Sequence, residues 1–141
     1  MMRVKVVTTE QELQAVFNIR IEVFVKEQGV PLEDELDEYE KTAEHVIAYY
    51  DDKAVGTGRL RMVNGIAKLE RICILPTARK FGLGRVIVEA LENIGKSKGA
   101  LKAKLHGQTQ AEKFYNKLGY QRKSEMFMED GIPHILMEKN L

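Results

Sequence analysis

A strand, a glycine-rich turn and a helix follow one another between Lys68 and Ile94, and this order restricts the fold of the chain more than any other feature. The turn is Arg79-Lys80-Phe81-Gly82-Leu83-Gly84. Apolar residues then recur at i, i+3, i+4 and i+7, which predicts a helix with one buried face formed by Ile87, Ala90, Leu91 and Ile94. A glycine-rich turn at a helix N-terminus directs several free N–H groups at one point. The sequence therefore predicts a phosphate site at the start of this helix.

Two common phosphate-binding motifs do not fit this turn. No glycine in it is followed by Lys and Ser or Thr, as a P-loop requires. A dinucleotide-binding turn would need a third glycine where Ile87 stands and an acidic residue close to the position of Lys104. The pattern that does match is R-x-x-G-x-G.

Composition limits the class of protein. A chain of 141 residues predicts one domain spanning residues 1–141, and a net charge of +1 gives no field that would favour nucleic acid or a membrane surface. The lone Cys73 excludes an internal disulfide, and His45, His106 and His134 are too dispersed to predict a metal site. No segment has the pattern of a membrane span or a signal peptide, so we expect a cytoplasmic protein.

The N-terminal third predicts a strand followed by a helix. Val4 to Val7 is rich in β-formers, and Thr9 with Glu12 forms the capping box of a helix start. Arg20 falls within the apolar stripe of that helix, which is formed by Leu13, Val16, Phe17, Ile21 and Phe24. Such an arginine must form an ion pair or face a substrate cleft, and both alternatives stay open.

An acidic run follows between Glu33 and Glu40. The spacing of Leu32, Leu36 and Tyr39 predicts a short helix with one buried apolar edge. Its carboxylates form either a solvated face or the wall of a cleft for a cationic amine.

The remaining chain predicts a mixed sheet. His45–Tyr50, Ala54–Val63 and the strand of Glu70 form consecutive antiparallel strands, joined by turns at Asp51-Asp52-Lys53 and Asn64-Gly65. The alternating run Ala100–His106 follows the central helix and is predicted to be parallel to the Glu70 strand. A capping box of Thr109 and Glu112 would open a helix over Ala111–Leu118, and a hairpin of Tyr120–Glu129 and Ile132–Lys139 completes the chain.

This element order resembles the GNAT N-acetyltransferase superfamily over essentially the whole chain. The R-x-x-G-x-G turn resembles its acyl-CoA site, and Gln108-x-x-Ala111-x-x-Phe114-Tyr115-x-x-Leu118-Gly119-Tyr120 resembles its N-x-x-A-x-x-F-Y segment, with Gln in place of Asn. Arg20-x-x-Val23-Phe24-Val25-x-Glu27-Gln28 and Gly131-Ile132-Pro133-His134 resemble a small group of uncharacterised bacterial members. The resemblance implies an α/β (α+β) fold: a mostly antiparallel sheet of six or seven strands, helices on both faces, and one parallel pair splayed at the cofactor site.

The resemblance also implies acetyl-CoA as cosubstrate, bound without a metal. Main-chain groups of Ile72, Cys73 and Ile74 would pair with the pantetheine arm. The N–H groups from Lys80 to Gly84, through Phe81, Gly82 and Leu83, would hold the pyrophosphate, with Arg79 at the turn. Gln108 and Tyr115 would complete the cofactor site.

Two residues are candidates for the proton transfers that amide formation from a thioester requires. Glu70 resembles the general base of the superfamily. It is expected to share a strand face with Ile72 and Ile74, whose apolar side chains would raise its pKa, whereas Arg71 and Lys68 could pair with it instead. Tyr115 is the candidate general acid for the CoA thiolate. Arg20, Glu27 and His134 are candidate substrate contacts, with His134 as the second choice for the base. Cys73 lies between isoleucines, so a core role is favoured over that of a nucleophile.

The function predicted from these residues is acetyl transfer from acetyl-CoA to a primary amine by direct attack in a ternary complex. The acceptor would be a small molecule or a protein amine, and a homodimer is left open. A non-catalytic acyl-CoA sensor on the same fold and transfer to oxygen are the alternatives.

Overall fold

The computed structural model describes residues 1–141 as eight strands and four α-helices. The helices are α1 Glu10–Arg20, α2 Leu32–Glu35, α3 Leu83–Ser97 and α4 Glu112–Lys117. A π-helical segment, Ile21–Glu27, continues α1, and 3-10 turns span Pro76–Phe81 and Thr109–Ala111. The strands are β1 Met2–Val6, β2 Glu44–Tyr50, β3 Lys53–Val63, β4 Ile66–Ile74, β5 Lys102–Gln108, β6 Gln121–Arg122, β7 Phe127–Glu129 and β8 Ile132–Asn140.

All strands belong to one sheet, in the order β1-β2-β3-β4-β5-β8-β6, with β7 paired to β8. Every pairing is antiparallel except that of β4 with β5, which are joined by α3. The predicted fold class is confirmed. The sheet has eight strands, more than the six or seven expected, because the run before the last turn is divided into β6 and β7.

Helices cover both faces of the sheet. Helix α3 packs on β2, β3 and β4 and forms the main core, in which Ile87, Val88 and Leu91 are fully buried. Helix α1 and the π-helical segment cover the opposite face, where Ile19 and Val23 pack against Cys73. No helix of the structure has the length and apolar character that crossing a membrane would require.

A β-bulge in β4 reverses the alternation of its side chains. The register with β3 shifts between Thr57 and Arg59, and Arg71 takes a φ of 55°. Beyond the bulge Ile72 packs toward the core under α3, whereas Cys73 packs toward α1. The expectation that Glu70 shares a strand face with Ile72 and Ile74 is therefore wrong.

Of the capping boxes and turns predicted from the sequence, some are confirmed and one is wrong. The Thr9–Glu12 capping box is present, and Asn64-Gly65 and Asp51-Asp52 both form turns with positive φ. The second capping box is wrong, because no side chain caps α4. The 3-10 turn before α4 provides the acceptor instead, since the N–H of Glu112 donates to the backbone carbonyl of Thr109.

The acidic run buries a charged residue where the sequence predicted a buried apolar edge. Only Leu32–Glu35 is helical, and the apolar Leu32, Leu36 and Tyr39 are exposed. The buried residue is Glu35, which accepts a hydrogen bond from Nε of Arg20 at 2.6 Å. This segment is therefore held to the domain by ion pairs rather than by an apolar edge.

Candidate active site

The main cavity lies where β4 and β5 separate. Their parallel pairing extends only from Ala67–Ala103 to Leu69–Leu105, so the edge of β4 beyond Leu69 has no strand beside it. The cavity has a volume of about 530 Å³. Of the predicted site residues, it is lined by Glu27, Glu70, Ile72, Cys73, Ile74, Arg79, Gln108, Tyr115 and His134. The structure thus brings together the side chains of elements far apart in sequence.

The glycine turn beyond Arg79 lies outside the cavity lining, at the start of α3. Gly82 has a φ of 78°, and the helix begins at Leu83 without a side-chain cap, so its first N–H groups are free for an anion. The ring of Phe81 stacks on Tyr50 with centroids 4.0 Å apart, which fixes the turn. The side chain of Leu83 is fully buried in the core, so this residue can offer only its backbone to a ligand.

Gly84 is required for packing rather than for positive φ. A Cβ at this position would lie 2.9 Å from the ring of Phe114 in α4. The close contact places α4, which carries Tyr115, against the first turn of α3. The turn and the candidate acid are therefore positioned by the same contact.

Two side chains at the end of the π-helical segment reach both sides of the cavity. Glu27 accepts hydrogen bonds from both terminal nitrogens of Arg79, one of them at 2.7 Å, while Nε of Arg79 donates to the carbonyl of Ile74. Gln28 accepts a hydrogen bond from the amide of Gln108 at 3.0 Å. Arg79 is therefore fixed at the end of β4 by Glu27.

Tyr115 has the features of a proton donor. Its side chain is buried, and burial raises its pKa to about 12. Its hydroxyl makes no hydrogen bond within the protein, and the oxygen is not fully inaccessible. Edge contacts with Phe114 and Tyr120 hold the ring. The phenol thus stays protonated at neutral pH and is directed to the cavity by packing alone.

Glu70 has the opposite environment to the one predicted. Burial disfavours its charge, but ion pairs with Arg61, Arg59 and Lys68, at 2.8, 2.8 and 3.1 Å, outweigh it and lower its pKa to about 2. The expected rise in pKa is therefore wrong. A carboxylate stabilised by three cations is a weak proton acceptor, so the structure does not favour Glu70 as the general base.

Arg20 is a structural residue, and its assignment as a substrate contact is wrong. It is fully buried, does not line the cavity, and forms ion pairs with Glu35 and Glu40. Glu40 also lies 3.1 Å from Arg59, which binds Asp37. A buried network of arginines and carboxylates therefore joins α1 and the acidic segment to β3.

Sequence reasoning missed two polar groups of the cavity. Nδ1 of His106 lies 2.9 Å from Glu129, and both residues line the cavity beside His134. The alternation of β5 places His106 on its polar face, but the approach of β7 that brings Glu129 to it carries no local signal. His45, by contrast, bonds to the carbonyl of Glu40 outside the cavity.

Cys73 is a core residue. Its side chain packs with Ile19 and Val23, and burial raises the pKa of its thiol strongly. A thiol that resists ionisation is a poor nucleophile.

A splayed parallel pair, a glycine turn at a helix N-terminus and a free phenol together define an acyl-CoA-dependent acyltransferase. The model of the acetyltransferase (GNAT) domain matches residues 6–141, so the chain belongs to the GNAT family and is an N-acetyltransferase.

Its relatives extend over the whole chain. The uncharacterized protein YyaT of Bacillus subtilis (strain 168) is 53% identical and covers 99% of this chain and 97% of its own length. The uncharacterized N-acetyltransferase YjcF of the same organism is 46% identical and covers 99% and 100%. The crystal structure of an acyl-CoA N-acyltransferase from Pseudomonas aeruginosa superimposes with a TM-score of 0.85 at 27% identity, covering 99% of each chain.

Proposed function

We propose that residues 1–141 act as one catalytic domain that transfers acetyl from acetyl-CoA to a primary amine, a small molecule or an amine of a protein, by direct attack in a ternary complex. The observation that carries this proposal is the cavity at the separation of β4 and β5, with the Tyr115 hydroxyl unpartnered in its wall. The backbone of Ile72 to Ile74 would pair with the pantetheine arm. The N–H groups at the start of α3 would hold the pyrophosphate.

Tyr115 would supply the proton that the departing thiolate needs. When the amine nitrogen bonds to the thioester carbon and the C–S bond breaks, negative charge collects on sulfur. A phenol whose pKa is raised to about 12 keeps its proton until that moment and can donate it then. Direct transfer fits the buried Cys73, which offers no thiolate to carry the acetyl group.

The experiment is an amine screen with acetyl-CoA that follows release of the CoA thiol, repeated with Tyr115→Phe. This change removes one hydroxyl and keeps the ring contacts with Phe114 and Tyr120. We expect kcat to fall by roughly 10²- to 10⁴-fold, the usual contribution of a general acid, while affinity for acetyl-CoA barely changes.

Tyr49→Phe is the matched control, because Tyr49 lies in β2 outside the cavity lining. It should leave kcat unchanged. If no amine is acetylated by the wild-type protein while acetyl-CoA still binds, the protein is an acyl-CoA sensor. If Tyr115→Phe keeps full kcat, Tyr115 is a packing residue and not the acid.

A further inference from the structure

His134 has one ring nitrogen fixed by a hydrogen bond and the other open to the cavity. Its Nδ1 lies 2.7 Å from the carbonyl of Ile132, which can only accept, so Nδ1 carries the proton. Nε2 then holds a lone pair, makes no hydrogen bond within the protein and is not sealed from the cavity. In His45 the unpartnered nitrogen is Nδ1, and it is buried rather than open to the cavity. Burial lowers the pKa of His45.

A carboxylate stands beside this open nitrogen. Oε2 of Glu129 lies 3.7 Å from Nε2 of His134, and its other oxygen accepts from Nδ1 of His106 at 2.9 Å. That hydrogen bond lowers the pKa of Glu129, so the carboxylate is charged. Glu129 thus places a negative charge close to Nε2 of His134.

Aromatic packing fixes both imidazoles. The ring of Phe127 lies 6.2 Å from that of His134 in a stacked geometry and 5.1 Å from that of His106 edge-on. Only 9% of the His134 side chain is exposed, against 30% for His106 and 42% for Glu129. Exposure thus increases from His134 through His106 to Glu129, which is in contact with solvent.

We propose that Nε2 of His134 is the general base that deprotonates the acceptor amine, and that Glu129 and His106 are its positioning residues. This inference rests on the proposed function. A primary amine has a pKa of ~10.4 and enters as an ammonium ion, which has no lone pair for attack. Glu70 is unsuited to act as this base because its pKa is low and because protonation would break its ion pairs with three cations.

The proton balance of the reaction is complete with these groups. Nε2 of His134 takes one proton from the ammonium ion, and the neutral amine then forms the C–N bond as the C–S bond breaks. The nitrogen then loses a second proton, and the phenolate left when Tyr115 protonates the thiolate regains one, so Tyr115 ends as a phenol and one proton is released overall. His134 returns to its neutral form when its proton passes to solvent beside Glu129 and His106.

Other charged groups line the same cavity and contribute to its field. They are Lys68, Glu70 and Arg71 of β4, Glu27 and Glu35 near α2, Arg79, Asp130 at the hairpin tip, and the phenol of Tyr115. Glu70, Glu35 and Glu27 are each paired with arginine. Glu129 is the carboxylate that contacts His134.

The test compares kcat/KM against pH for the wild type, His134→Gln and Glu129→Gln, with an amine from the screen. His134→Gln should lower kcat by roughly 10²- to 10⁴-fold at neutral pH and regain activity as pH rises, because more acceptor is then already neutral. Glu129→Gln should lower kcat less, and neither change should alter acetyl-CoA affinity. Glu125→Gln is the matched control, since Glu125 is exposed and lies four residues before Glu129.

A second measurement does not depend on activity. In protein with ¹⁵N-labelled histidine at mildly alkaline pH, His134 should show the Nδ1–H tautomer, with a lone pair on Nε2. An Nε2–H tautomer would overturn the proposal even if no amine is accepted. An active wild type whose His134→Gln variant keeps full kcat would overturn it too, and would leave the proposed function intact. A wild type that acetylates no amine would instead count against the proposed function.

Discussion

Tyr115 and Glu70 show how strongly the surroundings of a side chain determine its chemistry. Both line one cavity and both are largely buried, yet the pKa of Tyr115 is raised to about 12 and that of Glu70 is lowered to about 2. Burial is the main cause of the shift at the tyrosine, whereas three cations oppose burial at the glutamate. The phenol is therefore kept neutral and the carboxylate is kept charged.

Cys73 gives a test of direct transfer at the same scale. Cys73→Ala should keep most of kcat, and mass spectrometry of the wild type during turnover should find no acetylated protein thiol, because burial strongly raises the pKa of this thiol. Because Cys73 is the single cysteine, the reaction of the protein with a thiol reagent reports on this residue alone. A thiol reagent should react slowly with the folded protein and rapidly in denaturant, and an acetyl group trapped on Cys73 would contradict direct transfer.

At the scale of elements, the sequence predicted most strands and the central helix but not the bulge. A period-2 pattern identifies β5 and a period-3.6 pattern identifies α3, since each follows from local burial. The bulge at Arg71 depends on pairing with β3, where Gly56 and Gly58 allow α3 to approach closely. A Cβ at Gly58 would lie 2.8 Å from Leu91. Which side of β4 each residue faces could not be predicted from local spacing, because the pairing with β3 determines it.

The glycine turn at the start of α3 allows a matched pair of variants to be tested for pyrophosphate binding. Gly82 has positive φ, and nothing lies within 4 Å of a Cβ added there. Asn and Asp both tolerate this conformation and have almost the same shape. Gly82→Asp should bind acetyl-CoA about 10-fold or more weakly than Gly82→Asn, because the added charge faces the pyrophosphate. Calorimetry at two salt concentrations would measure this difference.

Equal affinities of the two Gly82 variants would exclude an anion at the start of α3. This pair is better than Gly84→Asp, because a side chain at Gly84 would collide with Phe114 and confuse binding with folding.

At the scale of the whole molecule, buried ion pairs hold the acidic segment where the sequence predicted an apolar edge, and an ion pair was one of the two alternatives for Arg20. The acidic run and Arg20 were recognised as unusual, but their partners were not, because Arg59 lies far along the chain in β3. The structure joins them: Arg59 binds Asp37, Glu40 and Glu70, and Arg20 binds Glu35 and Glu40. Long-range charge pairing of this kind has no period in sequence. For the same reason, the Glu129–His106 pair could not be predicted from the sequence.

This network predicts how stability depends on pH. The pKa of Glu70 is lowered from 4.5 to about 2 and that of Asp37 from 3.8 to about 2, since arginine pairs outweigh burial. A group with a lowered pKa stabilises the fold above its unfolded pKa, and this contribution is lost as pH falls toward its folded value. The free energy of unfolding should therefore fall between about pH 4.5 and pH 2. Glu35 acts in the opposite direction and above this range: burial raises its pKa, so its protonation stabilises the fold as pH falls toward about 4.5.

Glu70→Gln isolates one member of the network. It should lower the free energy of unfolding at neutral pH by about 2–3 kcal/mol, because Arg59, Arg61 and Lys68 lose a buried counter-charge. The variant and the wild type should become more alike in stability as pH falls from about 4.5 toward 2, where Glu70 begins to take up a proton in the folded state as well. Urea unfolding at a series of pH values would measure both effects. Glu89→Gln, which removes an exposed pair with Arg85, should change stability by less than about 0.5 kcal/mol and keep the pH dependence of the wild type. If the curve for Glu70→Gln instead stays parallel to that of the wild type down to pH 2, the charge of Glu70 does not stabilise the fold.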